Sequence, residues 1–548
     1  REIRALAREW ARKRTMLGCG SRPGMGSAGR TAYGHEWARF MVALQAMQGV
    51  GKPGVNWWST STGSPVPPNV PEDTYPYGFF FPGYGEGGIS GDTTNTGAAA
   101  RVLPRGFVRM PVADRINQPG GQHIYRLILP EAVMNPPVEW RGFGFSTTSI
   151  ESQFKKYKYP EDGYSEIRMF WRYGASYIGT MTNTNRWVRM YRSPKLEFVV
   201  VQNPWFEGEA KFADLILPAC TSFERWDIGE FANISGQSVE SVQFVNHRII
   251  VLQMKAIEPL GESKSDYDIF AMVAKRLGFY EKYTEGGMTL LDWVKRFYER
   301  SDLAKYISWE EFKRKGYFVV PVKKRPITPA LRWFYEGRRR DIPGSGGPIG
   351  GGVMSLPDGS GLGTQSGKIE FESNSLKRFD PNDPERPPVP HYIPPWEGPN
   401  TPHAIKYPLQ LISPHARYSF HTQYDAKDTW VDEIPEHRRR GPDGYFYRVM
   451  RINPVDAAPR GIKDGDLVKV YNDRGAVICI AEVTERIRPG TVHCYQASAA
   501  YDPIGEPGES PDRGGAINLL TPHRFLSKNA NGMAPNSAMV EVEKWEGS

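Results

Sequence analysis

The sequence contains little cysteine, with only Cys19, Cys220, Cys479 and Cys494 among 548 residues. No two of them form the closely spaced pair that iron–sulfur clusters and structural zinc sites use. We therefore expect this chain to hold no iron–sulfur cluster of its own and to provide no metal ligand. The cysteines are also too sparse for a disulfide scaffold, which is compatible with a reducing compartment and favours a cytoplasmic location.

Long hydrophobic runs are missing as well. No run of about 18 apolar residues is present, and mean hydropathy is −0.51, so the sequence predicts no membrane span. Charges interrupt the opening residues, which excludes a signal peptide there. The chain has no initiator Met, and Ile3, Leu6, Ala7 and Trp10 recur at helical spacing. We expect it to begin inside an amphipathic helix and to lack an N-terminal portion; a processed mature N-terminus is the alternative.

Several common functional motifs are absent. The sequence has no nucleophile elbow, P-loop, HExxH zinc motif or EF-hand loop. The glycine-rich stretch from Gly18 to Gly26 lacks GxGxxG spacing, so a nicotinamide-binding fold is not supported. A net charge of +8 suggests nucleic-acid binding. However, the dense basic runs at 338–340 and 438–440 are expected to lie in Gly/Pro-rich loops, and no nucleic-acid motif accompanies them. We expect a small-molecule substrate and no nucleic-acid partner.

Residues 166–280 alternate strand-like and helix-like segments. Three apolar runs, at 167–173, 196–201 and 213–217, are followed by glycine, amide or proline residues. This alternation predicts a parallel sheet with helices on both faces. In such sheets ligands bind beyond the carboxyl ends of the strands. The candidate ligand-binding residues there are Gly174, Gln202, Asn203 and Glu207.

Residues 405–548 have the pattern of a β domain. Leu409–Ile412 is a predicted strand, and alternating apolar residues flank the turn at 472–475, which indicates a hairpin. A late strand contains Val540 and Val542. We expect a closed or nearly closed β-barrel, separated by a Gly- and Pro-rich linker at 331–404 from an α/β region spanning 1–330.

An irregular segment at 61–165 is rich in Pro, Gly and aromatic residues. Disordered segments contain few aromatics, so this insertion is expected to line a site or to cover a partner subunit. Tyr75, Tyr77 and Tyr84 fall within one aromatic stretch. A tyrosine offers both an apolar ring face and a hydroxyl group to a phenolic substrate.

An ordered set of motifs runs through nearly the whole chain. The set consists of Tyr173-Gly174, Val199–Pro204, Ala213–Pro218, Ser366–Glu370, Ser413–Gln423, Ile452–Ala458 with Gly461–Asp466, and Ala530–Asn536. In this order it resembles the dimethyl sulfoxide reductase family of molybdopterin oxidoreductases. The resemblance implies a C-terminal barrel of the double-psi type and a molybdenum ion held by two molybdopterin guanine dinucleotides.

The resemblance also implies where the cofactor binds. One guanine nucleotide belongs to the α/β region, where Asp214 joins the candidates given above, and much of the other belongs to the barrel. Diphosphate binding needs arginine and backbone N–H groups, and guanine edges need amide or carboxylate side chains. The barrel candidates of these types are His415, Arg417, His421, Thr422, Gln423 and Asn536; ordinary turn capping is the alternative for any one of them.

Within the family, several stretches look most similar to the branch that transfers hydroxyl groups among polyhydroxylated aromatics. Two of these stretches are Gly87–Asp92 and Trp205–Lys211. Because the aromatic stretch lies beside Gly87–Asp92, we expect a catalytic role for Tyr75 or Tyr77, which flank a proline that stiffens the backbone. We also expect an iron–sulfur small subunit as partner. Two alternatives remain: an electron-transferring oxidoreductase acting on an arsenic or sulfur oxyanion, and a non-catalytic assembly subunit without cofactor.

Overall fold

The computed structural model describes residues 1–13, 29–52, 122, 124–141, 154, 156–174, 176–230, 249–300, 302–319, 332–337, 361–362 and 364–547. The helices in these ranges are α1 Glu2–Arg12, α2 Gly34–Met47, α3 Leu129–Met134, α4 Tyr177–Thr180, α5 Thr184–Tyr191, α6 Asp266–Arg276, α7 Tyr280–Thr284, α8 Leu290–Arg300, α9 Trp309–Lys315, α10 Arg332–Tyr335, α11 Asn374–Phe379, α12 His403–Lys406 and α13 Pro454–Ala457. In this part of the chain, no helix is both long and apolar enough to cross a membrane.

The strands comprise eight in the N-terminal half and nine in the C-terminal half of the described chain. They are β1 Val138–Arg141, β2 Lys156–Tyr159, β3 Met169–Tyr173, β4 Phe198–Asn203, β5 Leu215–Pro218, β6 Asp227–Glu230, β7 Ile249–Gln253, β8 Tyr317–Val319, β9 Leu409–Ile412, β10 Arg438–Arg440, β11 Phe446–Ile452, β12 Leu467–Asn472, β13 Gly475–Val483, β14 Thr491–Cys494, β15 Phe525–Ser527, β16 Ala530–Met533 and β17 Ala538–Lys544.

The three apolar runs of the α/β region form a parallel sheet in the order β3-β4-β5. Helices cover both faces, as predicted. On one face, Trp187 of α5 packs in the same core as Val199 and Val201. On the other face, the ring of Phe270 in α6 lies 5.3 Å from the ring of Trp171. The sheet therefore has an α/β layer structure whose carboxyl edge is formed by Gly174, Asn203 and Pro218.

A second unit follows this sheet along the chain. Strands β6, β7 and β8 form an antiparallel sheet, and helices α8 and α9 pack on it through a core that contains Trp293, Leu303 and Phe312. Strands β6–β8 and these helices therefore form a small α+β layer with its own core.

The C-terminal part closes into a six-stranded barrel. Hydrogen bonds connect the strands in the ring β11-β13-β12-β17-β9-β14, and β14 pairs back to β11. The pairs β11–β13 and β14–β9 are parallel and the other pairs are antiparallel. The barrel prediction is thus confirmed, while the double-psi topology remains a prediction.

The predicted hairpin forms one side of this barrel. Asn472 pairs with Gly475, which leaves Asp473 and Arg474 as a two-residue turn, and Gly475 has φ +144°. Apolar side chains alternate inward along both strands and meet residues such as Met450 and Val540 in the barrel core. Burial of these aliphatic side chains stabilises the closed ring by roughly 1.5–3 kcal/mol per residue.

The described part of the 331–404 linker packs against both regions. Arg39 of α2 donates hydrogen bonds to the carbonyl groups of Pro387 and Pro388 at 2.7 and 2.6 Å. Near the barrel, the carboxylate of Glu397 receives two bonds from Arg474 at 2.7 and 2.8 Å. These contacts tie the Pro-rich segment to folded elements at both ends.

Candidate functional site

Polar residues gather at the carboxyl edge of the parallel sheet. Gly174 follows β3 with φ +79°, a conformation in which a side chain is strained. Its carbonyl accepts a hydrogen bond from Nδ2 of Asn203 at 2.8 Å. The other amide atom, Oδ1, accepts the backbone N–H of Trp205 at 3.1 Å. Asn203 therefore shapes the loops after β3 and β4, and two of the predicted residues meet here.

The loop after β3 also joins the sheet to the barrel. The backbone N–H of Ser176 donates to Oε2 of Glu207 at 2.9 Å and to Oγ1 of Thr422 at 3.1 Å. Nζ of Lys427 donates to Oε1 of the same glutamate at 2.8 Å. All of these groups are buried. Glu207 and Thr422, predicted from separate motifs, thus accept hydrogen bonds from one backbone amide.

Two other predicted residues are engaged elsewhere. Both amide atoms of Gln202 are used within the protein, since Oε1 accepts from Trp171 at 3.1 Å and Nε2 donates to Asp266 at 2.6 Å. Asp214 precedes β5, and its carboxylate accepts the N–H of Val199 at 2.7 Å. Because Val199 is near the start of β4, Asp214 lies at the amino edge of the sheet. The structure does not bring Asp214 together with the other candidates.

The barrel loop between β9 and β10 contains the predicted His415 and His421. Their rings are 4.9 Å apart, centroid to centroid. His421 has φ +53°, which is rare for a residue with a side chain. Its Nδ1 lies 3.0 Å from Nε2 of Gln496, a residue two positions after the end of β14. Strained backbone that the surroundings hold in place is typical of ligand-binding loops.

Two arginines from distant parts of the chain approach these histidines. Arg30 is held at the barrel because its carbonyl accepts the N–H of Asn536 at 3.2 Å. Burial lowers the pKa of Arg30, and the charge of Arg126 lowers it further. Arg126 directly precedes the buried Leu127. These two cations and two imidazoles form the cluster that we call the cationic cluster.

The cationic cluster changes the acidity of its histidines. Burial first, then His415, Arg126 and Arg30, lower the pKa of His421 to about 3. Part of His415 reaches solvent, yet desolvation of its ring and the charge of Arg30 lower its pKa to about 4. Both imidazoles are therefore neutral near pH 7, and the arginines carry the positive charge. Among the described residues, the charges that lower the pKa values of Arg30, His415 and His421 are those of arginine and histidine, so the cluster suits an anion.

The remaining barrel candidates lie around the same loop. Arg417 is exposed, and its guanidinium lies 5.4 Å from the ring of Tyr418. Gln423 closes a tight turn by backbone hydrogen bonds with Phe420 at 2.9 and 3.2 Å. Oδ1 of Asn536 is 3.4 Å from the N–H of Ser413. Asn536 therefore connects the start of this loop to the segment that carries Arg30.

A buried ion cluster stabilises the same barrel loop. Asp425 accepts from Nε and Nη2 of Arg438 at 3.0 and 2.9 Å, and Nη2 of Arg448 is 2.8 Å away. Asp425, Asp432 and His437 are close enough together to suggest a metal site. However, two guanidinium groups already satisfy Asp425, and a cation would repel them. We interpret this group as a structural ion cluster.

Some predicted features lie outside the described residues, including Tyr75, Tyr77, Cys19 and the glycine-rich stretch. The other three cysteines are free and buried. Sequence reasoning missed Arg30, Arg126, Gln496 and Lys427. Gln496 carried a usable signal, because it is a polar residue two positions after the strand β14; the two arginines carried none.

Comparison with known proteins gives a consistent result. The model of the molybdopterin oxidoreductase family matches residues 16–276, and the model of the molydopterin dinucleotide binding domain matches residues 409–538. The second range contains the barrel and its loop with His415 and His421. Together the two models match well over half of the chain.

Individual relatives agree with these models. The pyrogallol hydroxytransferase large subunit of Pelobacter acidigallici is 50% identical over 100% of this chain and 62% of its own length. The dimethyl sulfoxide/trimethylamine N-oxide reductase of Cereibacter sphaeroides is 28% identical over 100% of this chain and 57% of its own. The dimethyl sulfoxide reductase of Escherichia coli is 32% identical over 69% of this chain and 42% of its own.

The chain thus spans about three fifths or less of the length of these relatives. The solved acetylene hydratase of Pelobacter acetylenicus aligns with 70% of this chain and 45% of its own at a TM-score of 0.46 and 17% identity, which is too remote to carry an inference. The motif order, the closed barrel and the two family models lead to one conclusion: this chain belongs to the dimethyl sulfoxide reductase family of molybdopterin oxidoreductases.

Proposed function

We propose that this chain is the cofactor-binding part of a large subunit that transfers hydroxyl groups between polyhydroxylated aromatics. The observation that carries the proposal is the 50% identity, over the whole chain, to a pyrogallol hydroxytransferase large subunit. Identity to the sulfoxide and N-oxide reductases compared above is 28% and 32%. The substrate class therefore follows the more similar relative.

We further propose that the cofactor is molybdenum bis(molybdopterin guanine dinucleotide). Its linking diphosphates are anions, and the cationic cluster offers two arginines and two neutral imidazoles. Arg30, Arg126, His415 and His421 would hold one diphosphate. Arg417, Thr422, Gln423 and Asn536 would contact the same dinucleotide, and Gly174, Asn203 and Glu207 would contact the other.

When bound, the cofactor supplies the metal centre at which an oxygen atom is exchanged. The protein residues bind and orient it. Neutral His415 and His421 donate hydrogen bonds without adding charge, while the guanidinium groups of Arg30 and Arg126 balance the phosphates. The buried network of Ser176, Glu207 and Thr422 fixes the loop after β3 relative to the barrel loop. The distance between the two halves of the site therefore stays constant.

The catalytic residues that we propose are Tyr75 and Tyr77. Each would place an aromatic ring against the substrate and a phenolic hydroxyl near its substituents, where it can donate or accept a proton. These tyrosines flank Pro76, which restricts the backbone. We also propose an iron–sulfur small subunit as partner, because the relative pyrogallol hydroxytransferase is named as a large subunit.

The test is an assay of the full-length enzyme, purified with its molybdenum, on trihydroxybenzenes with a tetrahydroxybenzene cosubstrate. One ring gains the hydroxyl that the other loses, so turnover should need no external electron donor or acceptor. Tyr75→Phe and Tyr77→Phe are compared with wild type at equal molybdenum content, and loss of turnover in one of them is expected. Activity only on an arsenic or sulfur oxyanion, dependent on a redox dye, would overturn the proposal. Absence of molybdenum and guanine nucleotide would indicate an assembly subunit.

A further inference from the structure

A chain of buried amide side chains leads from the parallel-sheet region to His421. Nδ2 of Asn518 donates to the carbonyl of Thr180 at 2.7 Å and to Oε1 of Gln496 at 3.1 Å. Nε2 of Gln496 in turn lies 3.0 Å from Nδ1 of His421. Both amide residues are buried, and neither was among the residues predicted from sequence.

The donor and acceptor chemistry of these amide side chains fixes the direction of each hydrogen bond between Thr180 and His421. A carbonyl oxygen only accepts, so Thr180 requires the NH₂ group of Asn518 on its side. That NH₂ group then requires the oxygen of Gln496, which leaves the NH₂ group of Gln496 facing His421. Oγ of Ser413, 3.4 Å from Oδ1 of Asn518, is consistent with this orientation. Nδ1 of His421 therefore accepts, and the ring proton is on Nε2.

We propose that Gln496 and Asn518 are positioning residues that hold His421 as an uncharged imidazole with its proton on Nε2, so that this N–H donates to the diphosphate of the bound dinucleotide. The inference rests on the proposed cofactor site and adds to it a defined tautomer and two residues that do not touch the ligand themselves.

The surroundings of His421 keep the ring uncharged. Within the described ranges, the charged and titratable groups that act on it come from three separate segments and are Arg30, Arg126 and His415. All of them oppose protonation, as does burial, and they lower the pKa of His421 to about 3. With Nδ1 occupied by Gln496, the ring offers its one donor on the side remote from that residue.

The first readout is the tautomer itself, measured on the full 548-residue chain labelled with ¹⁵N-histidine. Ten histidines are present, and His421 is assigned by comparison with a His421→Asn variant. We expect Nε2 to be protonated and Nδ1 unprotonated, without change between about pH 5 and 8. Gln496→Glu places a carboxylate at Nδ1, which should move the proton to Nδ1 or make the ring titrate in that range.

The second readout is the affinity of the chain for inorganic diphosphate, measured by calorimetry. Gln496→Leu frees the ring to change tautomer, and we expect the affinity to fall about tenfold (about 1.4 kcal/mol). Gln253 in strand β7 is a matched control, because it belongs to another sheet and its Nε2 donates to the carbonyls of Ser222 and Arg225. Gln253→Leu should leave diphosphate affinity unchanged.

The outcomes separate this inference from the cofactor proposal. An Nδ1–H tautomer in wild type, or a His421 that titrates between about pH 5 and 8, would overturn the inference. So would an Nε2–H tautomer combined with diphosphate affinity that is equal in wild type and Gln496→Leu. If Gln496→Leu does not fold, Gln496→Glu provides both readouts. Lack of guanine nucleotide in the full-length enzyme would instead contradict the proposed function, whatever the tautomer.

Discussion

Nζ of Lys427 in the barrel loop lies 2.8 Å from Oε1 of Glu207, which follows the parallel strand β4. The two side chains are 5% and 2% exposed, so this ion pair connects the two regions inside the protein. Lys427→Met would leave a buried carboxylate whose remaining partner is the N–H of Ser176. We expect the free energy of unfolding to drop by about 3–5 kcal/mol, measured by denaturant unfolding of the chain.

A matched control for this prediction is Lys295→Met. Lys295 is 3.9 Å from Glu299 on an exposed face of α8, with side chains 50% and 54% exposed. Exposed pairs of this kind contribute about 0–1 kcal/mol. Equal losses of stability in the two Met variants would show that the Glu207–Lys427 pair is not the connection that we describe.

Acid stability should depend on Asp425. Arg438 and Arg448 outweigh the burial of this carboxylate and hold its pKa well below the usual range. A carboxylate whose pKa is lower in the folded protein than in the unfolded chain stabilises the fold at pH values above the unfolded pKa of about 3.9. This contribution to the free energy of unfolding is lost as pH falls toward the folded pKa. We expect Asp425→Asn to lower the free energy of unfolding at pH 7 by about 3–5 kcal/mol and to reduce the loss of stability below about pH 4.

The measurement is a series of urea unfolding curves from neutral to acid pH. Asp162→Asn serves as control, since Asp162 is fully exposed and 3.5 Å from Lys158. Identical pH profiles for wild type and Asp425→Asn would contradict the assignment of Asp425 as the centre of a structural ion cluster.

Arg417 should matter for the cofactor and not for the fold. It is exposed, and its contact with Tyr418 is a ring contact at 5.4 Å. A charge-assisted contact to a phosphate contributes roughly 1.5–3 kcal/mol, so Arg417→Ala in the full-length enzyme should lower molybdenum and guanine content about 10- to 100-fold under limiting cofactor. Arg440→Ala is the control, because Arg440 is also exposed and 5.4 Å from the ring of Phe446. Unchanged cofactor content in Arg417→Ala would count against the assignment.

The cysteines should not bind iron. Cys479 and Cys494 are buried in the apolar barrel core. Cys220 is also buried, and it follows strand β5 of the parallel sheet. We expect iron and acid-labile sulfide to be absent from the purified chain after anaerobic reconstitution. Stoichiometric iron that disappears in a Cys→Ser variant would refute this.

Much of the fold follows from local patterns in the sequence. The run Val199–Val201 before Asn203 forms a buried strand because aliphatic side chains favour burial in a parallel sheet. The hairpin at Asp473-Arg474 follows from alternating apolar residues on both sides of a turn. The order of motifs was enough to identify the family, and with it the barrel loop that holds His415 and His421.

The tertiary structure decides which of these residues meet. Arg30 and Arg126 reach the barrel loop only because separate segments fold against it, and their sequence neighbours give no sign of this. Asp214 and Asn203 are both close to strand ends, but Asp214 precedes β5 and Asn203 is the last residue of β4, so they lie at opposite edges of the sheet. The tautomer of His421 depends on Thr180, Asn518 and Gln496, which the chain brings together over more than 300 residues. Such contacts depend on packing between distant segments, and local sequence patterns contain no information about that packing.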